Sequence, residues 1–97
     1  MSEPGDIYVT DLSNAQRHRV MVASTSRFSQ LSERVLVVPE IVSPPDEVPF
    51  PWRIETDEGV FAVDLMLTVP SERLLERAGR ANAAATSRMR RAIRQIS

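Results

Sequence analysis

The run Arg17-His18-Arg19 holds the side chains of this sequence that are best suited to chemistry. An imidazole accepts or donates a proton near neutral pH, and the planar guanidinium of arginine binds two phosphate oxygens at once. Together these groups suit acid–base chemistry on a phosphate ester. If the run is extended, His18 points to the face opposite both arginines, whereas a loop would let all three side chains converge.

The composition excludes thiol chemistry and argues against a metal site. The chain has no cysteine, and His18 is its only histidine, so neither a disulfide framework nor a protein-only zinc site is expected. The 97 residues fit one domain, 1–97, and oligomerisation would add stability to so small a core. The sequence shows no signal-like segment and no apolar run of membrane length, so we expect a cytoplasmic protein without a membrane partner.

Charge is distributed unevenly along the chain. Residues 1–66 carry five arginines and eleven carboxylates, a net charge of −6, whereas residues 67–97 carry seven arginines and two glutamates, a net charge of +5. The basic C-terminal third is interpreted as a solvated helix face. The alternative is a surface for an acidic partner, either nucleic acid or an acidic protein segment.

Alternating apolar residues, and a continuous apolar run at 34–42, predict about five strands in the first two-thirds of the chain. They are expected at 6–12, 19–23, 34–42, 52–56 and 60–69. Pro39 lies inside the third strand, and proline cannot donate to a sheet ladder. That strand is therefore expected to end, bulge or lie at a sheet edge near Pro39.

Loops and helices are predicted in the remaining segments. Residues 24–32 are rich in serine and 43–51 in proline, so both are interpreted as loops. A short helix is expected at 71–78, and a longer one follows to residue 96, capped by Asn82. The predicted fold class is mainly β, a compact sheet or barrel with one short and one longer helix at the C-terminus.

Four segments, in the same order, resemble the MazF/PemK toxin family. They are GDIYVTDL at the start, RHRVMVAS and RVLVVPEIVS in the middle, and EGVFAVDLMLTVPSERLLERAGRA before the last helix. The family counterparts are an apolar strand after Gly-Asp, a strand with Arg-Pro-Val, a strand with Ala-Pro-Leu-Thr-Ser, and a segment with Asp-Gln. The resemblance covers about residues 4–96.

This resemblance implies a fold, an activity and partners. The fold would be a small SH3-like barrel of the CcdB/PemK type. The chain would be the toxin of a type II toxin–antitoxin system, a homodimer that binds a cognate antitoxin protein. It would cleave single-stranded RNA as an endoribonuclease (mRNA interferase), with no metal and no cofactor. The 2′-hydroxyl of the RNA is the nucleophile, so the protein needs only to move protons and stabilise charge on the phosphate.

The resemblance also assigns site residues, with departures from the family pattern. The family arginine of Arg-Pro-Val falls on His18, and the family threonine falls on Ile41. The implied catalytic set is His18, with Arg17 or Arg19 supplying positive charge, together with Asp64 of the Asp-Gln position. The structural alternatives are a surface histidine for His18 and a hairpin-end or interface residue for Asp64.

A second set of residues is expected to bind the RNA. It consists of Ser24, Ser43, Trp52 and Arg53. Ser43 would replace the hydroxyl lost at Ile41, and Trp52 would either stack on a base beside the proline-rich segment or anchor the core. The C-terminal arginines are interpreted first as a solvated face, and second as contacts to the RNA backbone or to the antitoxin.

Two other functions remain compatible with the sequence. A CcdB-like toxin that acts on DNA gyrase without enzymatic activity shares partial matches at 17–20 and 37–40, but the chain ends in RQIS and lacks the Trp-Gly-Ile ending of CcdB. The other alternative is a decayed toxin that has lost catalysis and only binds its antitoxin. The altered positions His18 and Ile41 motivate both.

Overall fold

The computed structural model describes residues 2–11, 17–41 and 52–96. The strands are β1 (Asp6–Asp11), β2 (Arg17–Val22), β3 (Arg34–Ile41), β4 (Arg53–Thr56), β5 (Gly59–Ala62), β6 (Leu67–Pro70) and β7 (Leu74–Arg80). The helices are α1 (Ser26–Ser32) and α2 (Ala83–Ile96), and single 3₁₀ turns occupy Val63–Leu65 and Ser71–Arg73.

All the strands belong to one antiparallel arrangement. The order is β4-β5-β3-β2-β1-β7, and β6 pairs with the first half of β3. The predicted fold class, mainly β with a C-terminal helix, is confirmed. The described residues form seven strands instead of about five, because the 3₁₀ turn Val63–Leu65 divides the predicted strand 60–69 and because β7 replaces a predicted helix.

Two apolar clusters lie on opposite faces of the sheet, as the two-residue period of a strand requires. Consecutive residues of β2 illustrate this alternation, since Met21 belongs to one cluster whereas Val20 and Val22 belong to the other. The helix-side cluster is Ile7, Met21, Val38, Ile54, Phe61, Val63, Ala81, Ala85, Met89 and Ala92. The valine cluster is Val20, Val22, Val35, Val37 and Val69.

Helix α2 confirms the predicted C-terminal helix and its cap. The Asn82 side-chain oxygen Oδ1 accepts a hydrogen bond from the Ala85 backbone N–H at 2.8 Å, which satisfies one of the unpaired N–H groups at the helix start. Ala85, Met89 and Ala92 are buried against the sheet. Ile96, the last residue of the helix, is exposed.

The prediction of a loop at 24–32 was wrong, because Ser26–Ser32 forms helix α1. The Thr25 hydroxyl caps this helix by accepting from the Phe28 N–H at 3.2 Å. Glu33 ends it in the left-handed conformation, with φ of 60°. The serine-rich composition resembles a loop, but a threonine N-cap and the packing of α1 beside β3 support a short helix.

The prediction of a helix at 71–78 was also wrong. Only a 3₁₀ turn, Ser71–Arg73, forms there, and Leu74–Arg80 continues as strand β7. This strand pairs along β1, with Ile7 opposite Gly79 and Val9 opposite Glu76. A helix of eight residues is unstable alone in water, whereas the ladder with β1 satisfies the backbone groups of the whole segment.

Strand β3 does not end at Pro39, contrary to one expectation, but its partner changes there. On one side Val37 pairs with Leu67 of β6, whereas Glu40 pairs with Phe61 of β5. Pro39, which has no backbone N–H to donate, lies between the segment of β3 that pairs with β6 and the segment that pairs with β5. An internal proline is therefore compatible with an unbroken strand.

Candidate functional site

His18 is the second residue of β2 and lies directly opposite Thr10 of β1. It is half-buried, two residues before Val20, and therefore faces the valine cluster. Thr10 is fully buried, and its hydroxyl has no hydrogen-bond partner among the described residues. Directly opposed residues of antiparallel strands have neighbouring side chains, so the imidazole lies beside a hydroxyl that is available as donor or acceptor.

Arg19 lies on the other face of β2, where it is bound by two carboxylates. Its Nε donates to Glu40 Oε1 at 3.1 Å, and its Nη2 donates to Glu40 Oε2 at 2.5 Å. Nη1 donates to Glu58 Oε2 at 3.2 Å, and Nη2 also donates to the Glu58 carbonyl oxygen. The hydrogen bond to Glu40 raises the pKa of Arg19 by more than burial lowers it, so this guanidinium is a permanent cation.

Gly59 makes room for the Arg19–Glu40 pair. Its φ of 145° is a conformation that residues with a side chain rarely adopt, and a Cβ at this position would overlap the Glu40 carboxylate. The carboxylates of Glu40 and Glu58 with one guanidinium give this group of three a net charge of −1. A phosphate that approaches Arg19 therefore competes with carboxylates that already occupy its donors.

Asp64 and Arg53 form a separate ion pair. Arg53 Nε donates to Asp64 Oδ1 at 2.9 Å and Nη2 donates to Oδ2 at 3.1 Å, which is the two-bonded geometry of a strong pair. This hydrogen bonding from Arg53 lowers the pKa of Asp64 by more than burial raises it. Asp64 is therefore an anion near neutral pH, able to accept a proton but not to supply one.

Besides Arg53, two residues predicted to bind RNA have structural contacts. The Ser24 hydroxyl is buried and accepts from the Leu36 N–H at 3.1 Å, which connects the end of β2 to β3. Trp52 is half-buried and packs against the helix-side cluster, and its carbonyl oxygen accepts from the Val63 N–H at 2.7 Å. Ser43 lies outside the described residues.

The extended backbone of β2 determines which of the predicted catalytic side chains lie on the same face of the sheet. Arg17 begins the strand and pairs with Asp11 of β1, so the loop that would let His18 join its neighbours is not formed at 17–22. His18 and Arg19 face opposite sides of the sheet. Within the described ranges, no group of three or more histidine, aspartate or glutamate residues could hold a metal ion.

Sequence reasoning missed Glu40 and Glu58 as partners of Arg19. The available signal was the opposite charge of Arg19 and these glutamates. Their contact, however, depends on the register of strands that are far apart in the chain. Arg53 and Asp64 were both singled out, although not as a pair. In the part of the chain that the structure describes, no helix is long and apolar enough to cross a membrane.

Comparison with known proteins agrees with this architecture. The family model of the PemK-like, MazF-like toxins of type II toxin–antitoxin systems matches residues 3–97. A crystal structure of MazE–MazF (Form-III) from Deinococcus radiodurans is similar, with a TM-score of 0.79, 13% identity, and coverage of 99% of this chain and 94% of that chain. No curated protein matches this sequence.

Two further crystal structures from Deinococcus radiodurans are similar. MazE–MazF (Form-II) has a TM-score of 0.79 and 13% identity, and covers 97% of this chain and 92% of that chain. MazF (Form-I) has a TM-score of 0.73 and 14% identity, and the match covers 99% of this chain and 94% of that chain. At these identities the likeness establishes the fold, whereas the family match spans nearly the whole sequence. The chain therefore belongs to the PemK-like, MazF-like toxin family of type II toxin–antitoxin systems.

Proposed function

We propose that this single-domain chain is a cytoplasmic, homodimeric endoribonuclease that cleaves single-stranded RNA without a metal ion. The observation that carries the proposal is the family match over residues 3–97. The arrangement around β2 supports it, because a half-buried histidine near the start of β2 lies opposite the hydroxyl of Thr10 in β1. These are groups that can move protons without a cofactor.

In the proposed reaction the 2′-hydroxyl of one nucleotide attacks the adjacent phosphate. Its proton leaves to a base, the bond from phosphorus to the 5′-oxygen breaks, and that oxygen takes up a proton. A 2′,3′-cyclic phosphate and a 5′-hydroxyl are the products. We assign proton transfer to His18, and charge stabilisation on the phosphate to Arg17 or Arg19. Asp64 is an anion, so its role is to accept a proton or to orient Arg53.

The ion pairs around Arg19 shape this assignment. Glu40 and Glu58 occupy the donors of Arg19, and Arg19 faces away from His18. Arg19 therefore contacts phosphate only after it exchanges a carboxylate for it, and Arg17 is the other arginine proposed for this contact. Trp52 is only half-buried, so part of its ring can stack on a base, and Ser24, Ser43 and Arg53 complete the proposed RNA-binding set.

The proposed protein partner is a cognate antitoxin. MazF of Deinococcus radiodurans, which shares this fold, was crystallised with MazE. Family membership supports the same kind of partner for this chain. An acidic segment of the antitoxin would compete with RNA phosphate for arginine side chains.

The test is cleavage of a long mixed-sequence RNA by the purified protein in the presence of EDTA. We expect fragments that end in 2′,3′-cyclic phosphate, and we expect His18→Ala to reduce their rate by about 100-fold or more, since a lost acid–base group has effects of that order. Thr68→Ala, on the exposed side of β6, is the control and should cleave as wild type. Intact RNA with the wild-type protein would exclude the proposal.

A non-enzymatic toxin is the second candidate, favoured by one observation. Arg19 and Asp64 are each held in an ion pair within the chain, so each must leave that partner before its charge can act on RNA. A CcdB-like action on DNA gyrase predicts growth arrest with intact RNA, and loss of toxicity when residues 95–97 are deleted. A decayed antitoxin-binding module predicts no growth effect at all.

A further inference from the structure

Thr10 of β1 carries a buried hydroxyl to which the proposed reaction gives no role. Its side chain is 0% exposed, and its Oγ1 has no hydrogen-bond partner among the described residues. A buried hydroxyl without a partner lowers stability, because it has given up its hydrogen bonds to water, whereas an apolar side chain of the same shape has no such cost. A threonine in this position therefore needs an explanation other than packing.

Thr10 has a directly opposed residue on each side of β1. On the β7 side this residue is Leu74, because the β1–β7 ladder shifts register between Val9 and Thr10. On the β2 side it is His18. Directly opposed residues have Cβ atoms about 4.5–5.5 Å apart and side chains on the same face. Leu74 presents only carbon atoms, so of these two opposed residues only His18 offers the hydroxyl a polar partner.

The imidazole of His18 has an inner and an outer side. Tyr8, two residues before Thr10, packs against the valine cluster, and Val20, two residues after His18, belongs to it. Thr10 and His18 therefore extend this buried face by one row. Thr10 is fully buried, whereas His18 is only half-buried. One part of the ring thus lies beside the hydroxyl, and the rest is accessible to a substrate.

The two ring nitrogens suit these two surroundings. Nδ1 lies closer to the His18 backbone, and hence to the opposed Thr10 side chain, whereas Nε2 extends farther from the strand. The hydrogen bond made by one nitrogen determines which nitrogen of a neutral imidazole carries the proton. If Nδ1–H donates to Thr10, Nε2 keeps its lone pair for the proton of the RNA 2′-hydroxyl. The same bond is retained after Nε2 has taken up that proton, so one arrangement serves the whole transfer.

We propose that Thr10 is a positioning residue for His18, with its hydroxyl accepting a hydrogen bond from Nδ1–H so that Nε2 faces the RNA. A rotamer change of Thr10 or His18 closes this bond, and catalytic hydrogen bonds commonly tighten in this way when substrate binds. The consequence for catalysis rests on the proposed function. The contact itself is measurable without RNA cleavage.

The experiment uses the fact that His18 is the only histidine of the chain, so the imidazole signals belong to it alone. Nitrogen NMR of the isotope-labelled neutral ring measures the ratio of the Nδ1–H form to the Nε2–H form. It is recorded for the free protein and with a non-cleavable 2′-O-methyl RNA. We expect Thr10→Val to lower this ratio about fivefold, the effect of one typical hydrogen bond, and Thr10→Ser to preserve it. Thr68→Val, on the exposed side of β6, is the matched control and should leave the ratio unchanged.

Cleavage kinetics distinguish positioning from packing. Thr10→Val should lower kcat for RNA cleavage about tenfold with little change in KM, since a misplaced catalytic group slows the chemical step. Thr10→Ser should retain most of the activity, although it loses a buried methyl group. If Thr10→Val does not fold, Thr10→Ser and Thr10→Ala repeat the comparison, because these two variants differ only by the hydroxyl.

Two results would overturn the proposal. One is the same ratio of the two ring forms in wild type and Thr10→Val, both with RNA and without it. The other is a Thr10→Val protein that is more stable in urea and cleaves RNA with an unchanged kcat, which would make Thr10 an ordinary core residue. If the ratio falls in Thr10→Val but the wild-type protein leaves RNA intact, the contact is supported and the proposed enzyme alone is refuted.

Discussion

Arg19 of β2 and Glu40 of β3 form a two-bonded ion pair, with N–O distances of 3.1 and 2.5 Å, on the face of the sheet opposite His18. The Glu40 side chain is 16% exposed and that of Arg19 is 31% exposed. Glu58 joins the pair from the β4–β5 turn. The guanidinium thus holds three parts of the chain together, and any phosphate contact by Arg19 occurs in competition with this structural role.

Replacing Glu40 with glutamine tests the two roles of Arg19 together. We expect Glu40→Gln to lower the free energy of unfolding by about 1 kcal/mol, because a charged hydrogen bond becomes a neutral one. If RNA phosphate uses Arg19, loss of the carboxylate charge should also tighten binding of a non-cleavable 2′-O-methyl RNA about fivefold at low salt. Urea unfolding and fluorescence anisotropy measure these two changes.

Glu72→Gln is the matched control for charge, because Glu72 is exposed on the 3₁₀ turn Ser71–Arg73. It should leave both unfolding and RNA binding unchanged. Lower stability in Glu40→Gln without tighter RNA binding would restrict Arg19 to the structural role and leave the phosphate contact to Arg17.

The ion pairs of Asp6 predict that the protein loses stability at acidic pH. Burial raises the pKa of this carboxyl. The backbone hydrogen bond from Glu3, together with Arg80 and Arg77, lowers it by more, so that the net shift of the pKa is downward. Arg80 Nη1 lies 2.5 Å and Arg77 Nη2 lies 3.3 Å from Asp6 Oδ1. A carboxyl whose pKa is lower in the folded state stabilises above its unfolded pKa of about 3.9, and this contribution is lost as pH falls further.

We therefore expect the stability of the wild-type protein to fall below about pH 4, and Asp6→Asn to remove that part of the slope. At neutral pH the variant should lose about 1–3 kcal/mol, because two arginines lose a charged acceptor. Urea unfolding over a pH series measures both effects, with Asp57→Asn as an exposed control. A slope below pH 4 that is identical in wild type and Asp6→Asn would refute this role for Asp6.

The cap of α2 gives a local prediction. Asn82→Ala removes the acceptor for the Ala85 N–H and should lower the free energy of unfolding by about 1 kcal/mol. Gln95→Ala, in the exposed last turn of α2, is the control and should be neutral. Thermal unfolding followed by circular dichroism measures the difference, and equal midpoints for Asn82→Ala and wild type would contradict the cap.

Local patterns in the sequence predicted the elements whose stability is local. The apolar period and the Asn82 cap identify α2. Alternation, or for β3 a continuous apolar run, identifies β1 to β5, since these signals depend on residues a few positions apart. Helix α1 was missed because a serine-rich segment with no buried residue has a weak apolar pattern. Strand β7 was missed because its stability comes from pairing with β1, about seventy residues earlier.

The candidate site was predicted less completely than the fold, because its contacts join residues that are far apart in the chain. His18 and Asp64 could be singled out by residue type and by resemblance to a family motif. That His18 and Arg19 face opposite ways follows from the extended backbone of β2, which the sequence left open. The pairing of Arg19 with Glu40 and Glu58 depends on the register of three strands, a long-range property that spacing along the chain does not show.

The most direct test of the central claim, that this toxin cleaves RNA through His18, is mapping of 5′-hydroxyl RNA ends in cells after induction of the chain. The account predicts new 5′-hydroxyl ends in single-stranded regions, which appear with growth arrest and disappear with His18→Ala while Thr68→Ala retains them. Growth arrest without new RNA ends, or the same ends with His18→Ala, would contradict it.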